Sequence, residues 1–186
     1  MTLLEAVNYI LPKLGEHQVT SLDSRNSTLR ILLQLFDTKR QEILARGRWF
    51  NQYTKELPLS LDKKIYLSSD MLAVWGVRNR SLGRLGNQLF DTSTQTDTFT
   101  TVQEVGIIID RQFDLLPWNM QTWIKYEVLL DQYASDLGVG NEYMKFEEER
   151  RKAEQLVIAE HLRNKRYSTK DRYNARRISS ALRGRP

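Results

Sequence analysis

The chain has no cysteine among its 186 residues and only two histidines, and these shortages exclude several kinds of functional site. Without cysteine there can be no disulfide, no thiolate nucleophile and no cysteine-ligated zinc. His17 and His161 each lack the neighbouring histidine or patterned carboxylates that a metal site would require. No metal site is therefore predicted.

The motifs that accompany catalysis and cofactor binding are missing as well. The sequence contains no GxSxG, no Walker loop and no GxGxxG, and residues 83–86 are too short for a phosphate-binding loop. The acidic run at residues 147–149 is interpreted as the solvated start of a helix, where acids favour the helix dipole. Glu104, Asp110 and Asp114 are interpreted as turn and cap residues rather than metal ligands. We therefore expect neither an enzyme nor a bound cofactor.

Long hydrophobic segments are also absent. No stretch of 18 apolar residues occurs, which excludes a transmembrane helix, and no membrane association is predicted. Hydrophobic residues make up 40% of the chain and charged residues 27%, which is typical of a globular protein rather than a disordered one.

Positive charge is concentrated at the C-terminal end. Residues 161–186 contain nine Arg or Lys residues and a single acid, Asp171, whereas residues 1–160 contain 19 basic and 22 acidic residues. The body is therefore mildly acidic and the C-terminal segment strongly basic. Such a segment favours contact with a polyanion or with an acidic protein surface.

Capping residues and apolar spacing predict four helices. The first covers residues 2–14, because Thr2 and Glu5 match a capping box and Gly15 is a stop signal. The others are expected over residues 24–46, from Pro117 to Gly138, and from Asn141 to about residue 166. Trp118 and Trp123 have helical spacing and are expected to pack in the core, and Trp49 and Phe50 to cover the end of the second helix.

The intervening segment, residues 49–113, has short alternating apolar runs separated by glycine, serine and threonine, which predicts antiparallel strands. Residues 78–88 are polar, basic and rich in glycine, and are predicted to form an exposed hairpin loop. The predicted fold class is α+β, mainly α. It comprises a helical bundle of residues 1–48 and 114–166, an inserted antiparallel β region over residues 49–113, and an extended basic C-terminal arm over residues 167–186.

Several blocks of residues, in order along the chain, resemble one known family. They are Ala6-Val7-Asn8, Ile10-Leu11, Leu14-Gly15-Glu16 and Ser21-Leu22; Ala45-Arg46-Gly47 with Trp49-Phe50-Asn51; Leu57-Pro58 with Leu67, Asp70 and Leu72; Leu89-Phe90-Asp91 with Gln95, Asp97 and Phe99; Asp114, Leu116-Pro117 and Trp123-Ile124; and Phe146 through Glu149 with Ala153. On these blocks the chain resembles the tail tubular protein A family, the head-to-tail adaptors of T7-like podophages.

The resemblance implies a structural protein of the virion tail, made in the host cytoplasm, that forms a ring at the head-tail junction. The ring, usually twelve-fold, would lie between the portal protein and a tail nozzle similar to tail tubular protein B. Genomic DNA would pass through its lumen without specific binding.

The same resemblance, combined with the charge pattern, implies two contact regions. Portal contacts are expected along the basic arm, at Arg163, Lys165, Arg166, Tyr167, Lys170, Arg172, Tyr173, Arg176, Arg177 and Arg183. Nozzle contacts are expected in the β insertion, at Arg78, Arg80, Leu82, Arg84 and Leu85.

Two other functions are consistent with parts of the sequence. A small nucleic-acid-binding module would explain the basic tail but not the long β insertion, and no RNA-recognition or helix-turn-helix signature accompanies it. A hydrolase or nuclease would require an acid pair spaced with a histidine or lysine partner, which the chain lacks.

Overall fold

The computed structural model describes residues 1–165. They form, in order, the elements α1 (Leu3–Ile10), α2 (Ser27–Leu44), β1 (Gln52–Leu57), β2 (Met71–Gly76), β3 (Leu82–Leu85), β4 (Gln88–Asp91), β5 (Gln103–Ile109), α3 (Trp118–Leu137) and α4 (Asn141–Asn164). Single 3-10 turns follow α1 at Leu11–Leu14 and precede α3 at Phe113–Leu115. The mixed α+β class is confirmed, whereas the predicted C-terminal arm lies outside the described residues.

Helix α1 begins at the predicted capping box. The backbone N–H of Glu5 donates to Oγ1 of Thr2 at 3.2 Å, and the backbone N–H of Thr2 donates to Oε2 of Glu5 at 2.8 Å. Its apolar face buries Ala6, Val7 and Ile10. The following 3-10 turn ends at Gly15, which has φ +80°, so the predicted stop is confirmed.

Helix α2 begins later than predicted, because Asn26 is its N-cap. The side chain of Asn26 accepts a hydrogen bond from the backbone N–H of Leu29 at 3.0 Å, which satisfies one of the free amides of the first turn. The chain leaves the helix through Gly47, whose φ is +70°. A Cβ at Gly47 would lie 2.9 Å from Cδ1 of Ile108, so glycine also permits the close approach of this turn to β5.

Helix α3 is the centre of the helical core and is buried on most of its circumference. Met120, Trp123, Ile124 and Leu129 are fully buried among residues of α1, α2 and α4. Helix α4 runs antiparallel to α3, since Asn119 near the start of α3 contacts Glu160 near the end of α4. At the other end of the pair, Tyr133 of α3 and Phe146 of α4 make an edge-to-face contact.

The strands form two small antiparallel sheets. Strand β5 lies between β1 and β2 in the three-stranded sheet, and β3 pairs with β4. A second apolar cluster, separate from the helical one, is built mainly from these strands and the loops between them. Its buried members are Leu57, Ile65, Leu67, Met71, Val74, Leu82, Leu89, Phe99, Val105, Ile107 and Ile109.

Buried polar contacts join the helices to the sheet. The side-chain amide of Asn51 donates to the backbone oxygen of Leu44 at 3.1 Å and to that of Ile109 at 3.0 Å. The guanidinium of Arg40, in α2, donates to both carboxylate oxygens of Asp110, just after β5, at 3.1 and 3.0 Å. The division of the chain near residues 48 and 114 stays a prediction, but these contacts hold the two parts together.

One local prediction is confirmed in part and another is wrong. Residues 78–88 contain the predicted hairpin, but they are not a loop throughout, because β3 and the start of β4 occupy much of the segment, joined by a two-residue turn at Gly86 and Asn87. Trp118 does not pack in the core: it is 64% exposed, whereas Trp123 is fully buried. Trp118 is the first residue of α3, so its side chain can extend past the region in which the helices contact one another. Among residues 1–165, no helix is long and apolar enough to span a bilayer.

Candidate assembly interface

The predicted nozzle-contact segment contains a tight hairpin. Leu82 pairs with Asp91 and Leu85 with Gln88, and Gly86 adopts φ +62° in the connecting turn. A left-handed residue at a two-residue connection matches the right-handed twist of the paired strands, which explains why glycine is found here. Leu85, beside the turn, is 62% exposed.

The base of this hairpin is fixed by a carboxylate with several donors. Asp91 is buried and accepts hydrogen bonds from Oγ of Ser81 at 2.6 Å, Oγ of Ser93 at 2.7 Å and Nδ2 of Asn79 at 3.0 Å. The bonds from Ser81 and then Ser93 hold the pKa of Asp91 well below its ordinary value. The network thus orders the turn between β2 and β3 that carries Arg78 and Arg80.

The predicted nozzle contacts lie at two different ends of β3. Arg78 and Arg80 precede the strand and are exposed, and Nε of Arg78 lies 3.0 Å from Oε2 of Glu104. Leu85 lies at the opposite end, next to the hairpin turn. The segment therefore presents a basic end and an apolar end rather than one continuous contact patch.

Two members of the predicted nozzle group make contacts within the fold. Leu82 is 4% exposed and packs in the β core near Gly76, so its side chain does not form an external contact surface. Arg84 donates from Nε to the backbone oxygen of Gly86 at 2.7 Å and from a terminal nitrogen to the backbone oxygen of Met71. Arg84 thereby connects the hairpin turn to β2.

The start of the basic segment lies where α4 meets the sheet. Nζ of Lys165 donates to Oε1 of Gln52 at 3.1 Å, and Nδ1 of His161 accepts a hydrogen bond from the backbone N–H of Trp49 at 3.0 Å. Arg163 is exposed on the last turn of α4. The remaining portal-contact predictions lie outside the described residues, namely Arg166, Tyr167, Lys170, Arg172, Tyr173, Arg176, Arg177 and Arg183.

Four basic side chains converge at the same place: Arg46, Arg48, His161 and Lys165, here called the junction patch. Cζ of Arg46 and Cζ of Arg48 lie 5.4 and 5.7 Å from the ring centre of Trp123. Burial, and then the charge of Arg46, lower the pKa of Arg48. Burial, Arg48 and Lys165 in turn lower the pKa of His161. The positive charges of Arg46, Arg48 and Lys165 are therefore close together here.

The carboxylates considered as metal ligands have structural partners instead. Glu104 pairs with Arg78, Asp110 accepts from Arg40, and Oδ1 of Asp114 accepts the backbone N–H of Leu3 at 2.7 Å. Within the described part of the chain, no three His, Asp or Glu side chains are grouped so that they could hold a metal ion.

The junction patch was not predicted from the sequence. The alternation Arg46-Gly47-Arg48 at the end of a helix could have indicated a local basic turn. The contact between this turn and His161 could not be foreseen, because more than a hundred residues separate Trp49 from His161 in the sequence.

Comparison with known proteins identifies the family. A family model described as tail tubular protein matches residues 4–167 of the chain. The chain is also 30% identical over 182 residues to tail tubular protein A of Klebsiella phage KP34, covering 97% of this chain and 98% of that protein. These matches confirm the resemblance seen in the ordered sequence blocks, and the chain belongs to the tail tubular protein family.

Proposed function

We propose that this chain is a structural head-to-tail adaptor of a short-tailed bacteriophage, with no enzymatic role. Copies would form a ring between the portal and the tail nozzle. The family match over nearly the whole chain carries the proposal. The architecture supports it, since a helical core joined to a sheet by buried contacts provides a rigid wall with a hairpin at its surface.

The adaptor would act by assembly rather than by bond chemistry. The portal ring would template twelve subunits, and the basic segment beyond α4 would dock on an acidic portal surface. Repetition around a ring allows individually weak contacts to sum to a stable assembly. The small net negative charge of residues 1–160 would keep DNA from being bound tightly in the lumen and so favour passage of the genome.

The two ends of β3 provide the contacts proposed for the nozzle. Arg78 and Arg80 would contribute charge at one end, and Leu85 would contribute an exposed apolar side chain at the other. Leu82 and Arg84 are not part of this proposed surface, because their side chains are used within the fold.

Deletion of residues 167–186 tests the portal contact. We expect the truncated protein to keep the circular-dichroism spectrum and melting temperature of the full chain but to lose attachment to portal particles in electron micrographs. A full-length control with the same tail residues in scrambled order separates a requirement for charge from a requirement for sequence. Unchanged attachment of the truncated protein would contradict the portal role of the arm.

The same micrographs test the nozzle contact. Replacing Arg78 and Arg80 with serine, or Leu85 with serine, should leave portal attachment intact and weaken addition of the nozzle protein. Full nozzle addition by both variants would show that the hairpin is not the contact.

A nucleic-acid-binding module is the second candidate, favoured by the excess of basic residues after position 160. It predicts a monomer that binds DNA at physiological salt, whether or not portal is present. The adaptor predicts portal-dependent oligomers and weak, salt-sensitive DNA binding.

A further inference from the structure

The junction patch is positively charged beyond what its acidic neighbours offset. Oε1 of Glu154 lies 3.9 Å from a terminal nitrogen of Arg46, which is too far for a hydrogen bond. Glu154 pairs more closely with Arg150, at 2.8 Å. The charges of Arg46 and Arg48 are thus only partly compensated by contacts within residues 1–165.

The two arginines are also held in place. Both guanidinium groups lie near the buried ring of Trp123, and Trp123 itself is fixed by donating from Nε1 to Oε1 of Glu127 at 2.8 Å. Arg48 lies on the turn that Asn51 closes by accepting the backbone N–H of Arg48 at 2.7 Å. A guanidinium that is already ordered loses less entropy when an oxyanion binds, and its planar N–H groups match the geometry of a phosphate.

Among residues 1–165, one buried side-chain donor has no hydrogen-bond acceptor. Nε of Arg48 is inaccessible to solvent and donates to no acceptor within the described residues. An arginine that combines an unsatisfied donor with crowded like charges is costly in the free protein. A bound anion at the exposed part of the patch would offset the charge crowding.

We infer that the junction patch binds the phosphate backbone of nucleic acid, with Arg46 and Arg48 as the phosphate-contacting residues. The site belongs to the folded body and does not depend on ring assembly. In the sequence, Lys165 of the patch is followed by further basic residues, so the patch stands at the start of a series of positive charges along the chain. Repeated phosphates match such a series better than a single carboxylate does. Trp49, 38% exposed beside His161, adds an aromatic surface.

A pair of matched double variants of the full chain tests the inference. Arg46→Gln with Arg48→Gln removes two charges from the patch, and Arg151→Gln with Lys152→Gln removes two from α4, where both pair with glutamates. The measurement is the salt dependence of affinity for duplex DNA of random sequence, by fluorescence anisotropy. The slope of log K against log salt should become shallower by about 2 in the patch variant, since each phosphate contact contributes about 0.9.

Three results would overturn the inference: an unchanged slope in the patch variant, an equal change in the α4 variant, or tighter binding of poly-glutamate than of DNA to the wild-type protein. The last would identify an acidic protein segment as the ligand. If the loss of Arg48 lowers the melting temperature, Arg46→Gln alone serves instead, because that side chain is 56% exposed. Its slope should change by about 1. Portal attachment, scored separately by microscopy, is unaffected in the patch variant if the site is independent of assembly.

Discussion

At the scale of single residues, Lys125 is the most unusual side chain in the helical core. It is 8% exposed, and its Nζ lies 3.8 Å from the ring centre of Tyr9 and 4.5 Å from that of Tyr126. Lys13 lies over the same Tyr9 ring at 3.7 Å. Burial, and then the charge of Lys13, lower the pKa of Lys125 to about 8. The aromatic rings stabilise the cation only in part.

This depressed pKa predicts that stability rises with pH above about 8. In the unfolded chain Lys125 keeps a pKa of 10.5, so between about pH 8 and 10 the unfolded state binds more protons than the folded state. The folded state is then favoured by about 1.4 kcal/mol for each pH unit of the shift, at most roughly 3 kcal/mol in total. The raised pKa of Tyr126 opposes this rise only above pH 10.

We predict that Lys125→Met removes this pH dependence. Methionine fills a similar volume without a charge, so the variant should be more stable than the wild type at pH 7 by about 1–3 kcal/mol. Urea unfolding measured at pH 7, 8, 9 and 10 checks the prediction. Lys13→Gln is the control, since it should weaken the rise without abolishing it. An equally steep rise in Lys125→Met would show that another group is responsible.

At the scale of elements, β5 depends on a glycine at its centre. Gly106 pairs with Trp75 across the β2–β5 ladder, and a Cβ at Gly106 would lie 2.3 Å from the nearest atom of the Trp75 ring. The indole therefore lies directly over the glycine. A side chain at this position must displace the indole or the backbone of the central strand.

Gly106→Ala is therefore expected to destabilise the sheet by about 1–3 kcal/mol. Gly83→Ala is a matched control, because Gly83 also lies in a strand, has no left-handed φ, and has no atom within 4 Å of the position its Cβ would take. Chemical denaturation of both variants tests the difference. Similar losses in the two would mean that strand glycines, rather than the Trp75 contact, determine the effect.

At the scale of the whole molecule, two buried polar contacts connect the helical core to the β core. Both charged side chains of the Arg40–Asp110 pair are mostly buried, at 15% and 19% exposed. Asn51 contributes a second connection between the end of α2 and the end of β5. Removing one partner of a buried ion pair is costly, because the other charge is then left buried and unpaired.

Asp110→Ala should therefore destabilise the protein by about 2–4 kcal/mol and reduce the cooperativity between its two cores. Hydrogen exchange measures both effects: amides of β5 should exchange faster than those of α3 in the variant, whereas in the wild type they exchange together. Glu104→Ala is the control, since its partner Arg78 is 88% exposed and the pair contributes little. Uniform exchange in Asp110→Ala would show that apolar contacts suffice for coupling.

Much of the element structure could be predicted from the sequence because the responsible signals are local. The capping box at Thr2, the stop at Gly15 and the central position of Trp123 depend on residues within a few positions or on one helical face. Helix α2 begins later than predicted because several polar residues could serve as its N-cap. Asn26 is the one whose side chain accepts a hydrogen bond from the first turn. Hydrophobic periodicity does not show which of several neighbouring polar residues will be the N-cap.

The candidate surfaces were less predictable, since exposure depends on distant partners. Leu82 and Arg84 belong to a polar, glycine-rich segment, yet the first is buried against β2 and the second bonds the backbone at Met71. Trp118 and Trp123 share helical spacing, yet only one reaches the core. Short-range patterns carry no information about which strand or helix will pack against a given face.

The sequence by itself determined the mixed α+β class, the absence of cysteine chemistry, the accumulation of positive charge after residue 160 and the family, because each follows from composition or from the order of local motifs. The tertiary structure alone decided which basic residues meet. Arg46 and Arg48 join His161 and Lys165 only because α4 packs back across α3 to the end of α2. Contacts between such distant segments arise from burying apolar faces, and a one-dimensional pattern does not specify which faces those will be.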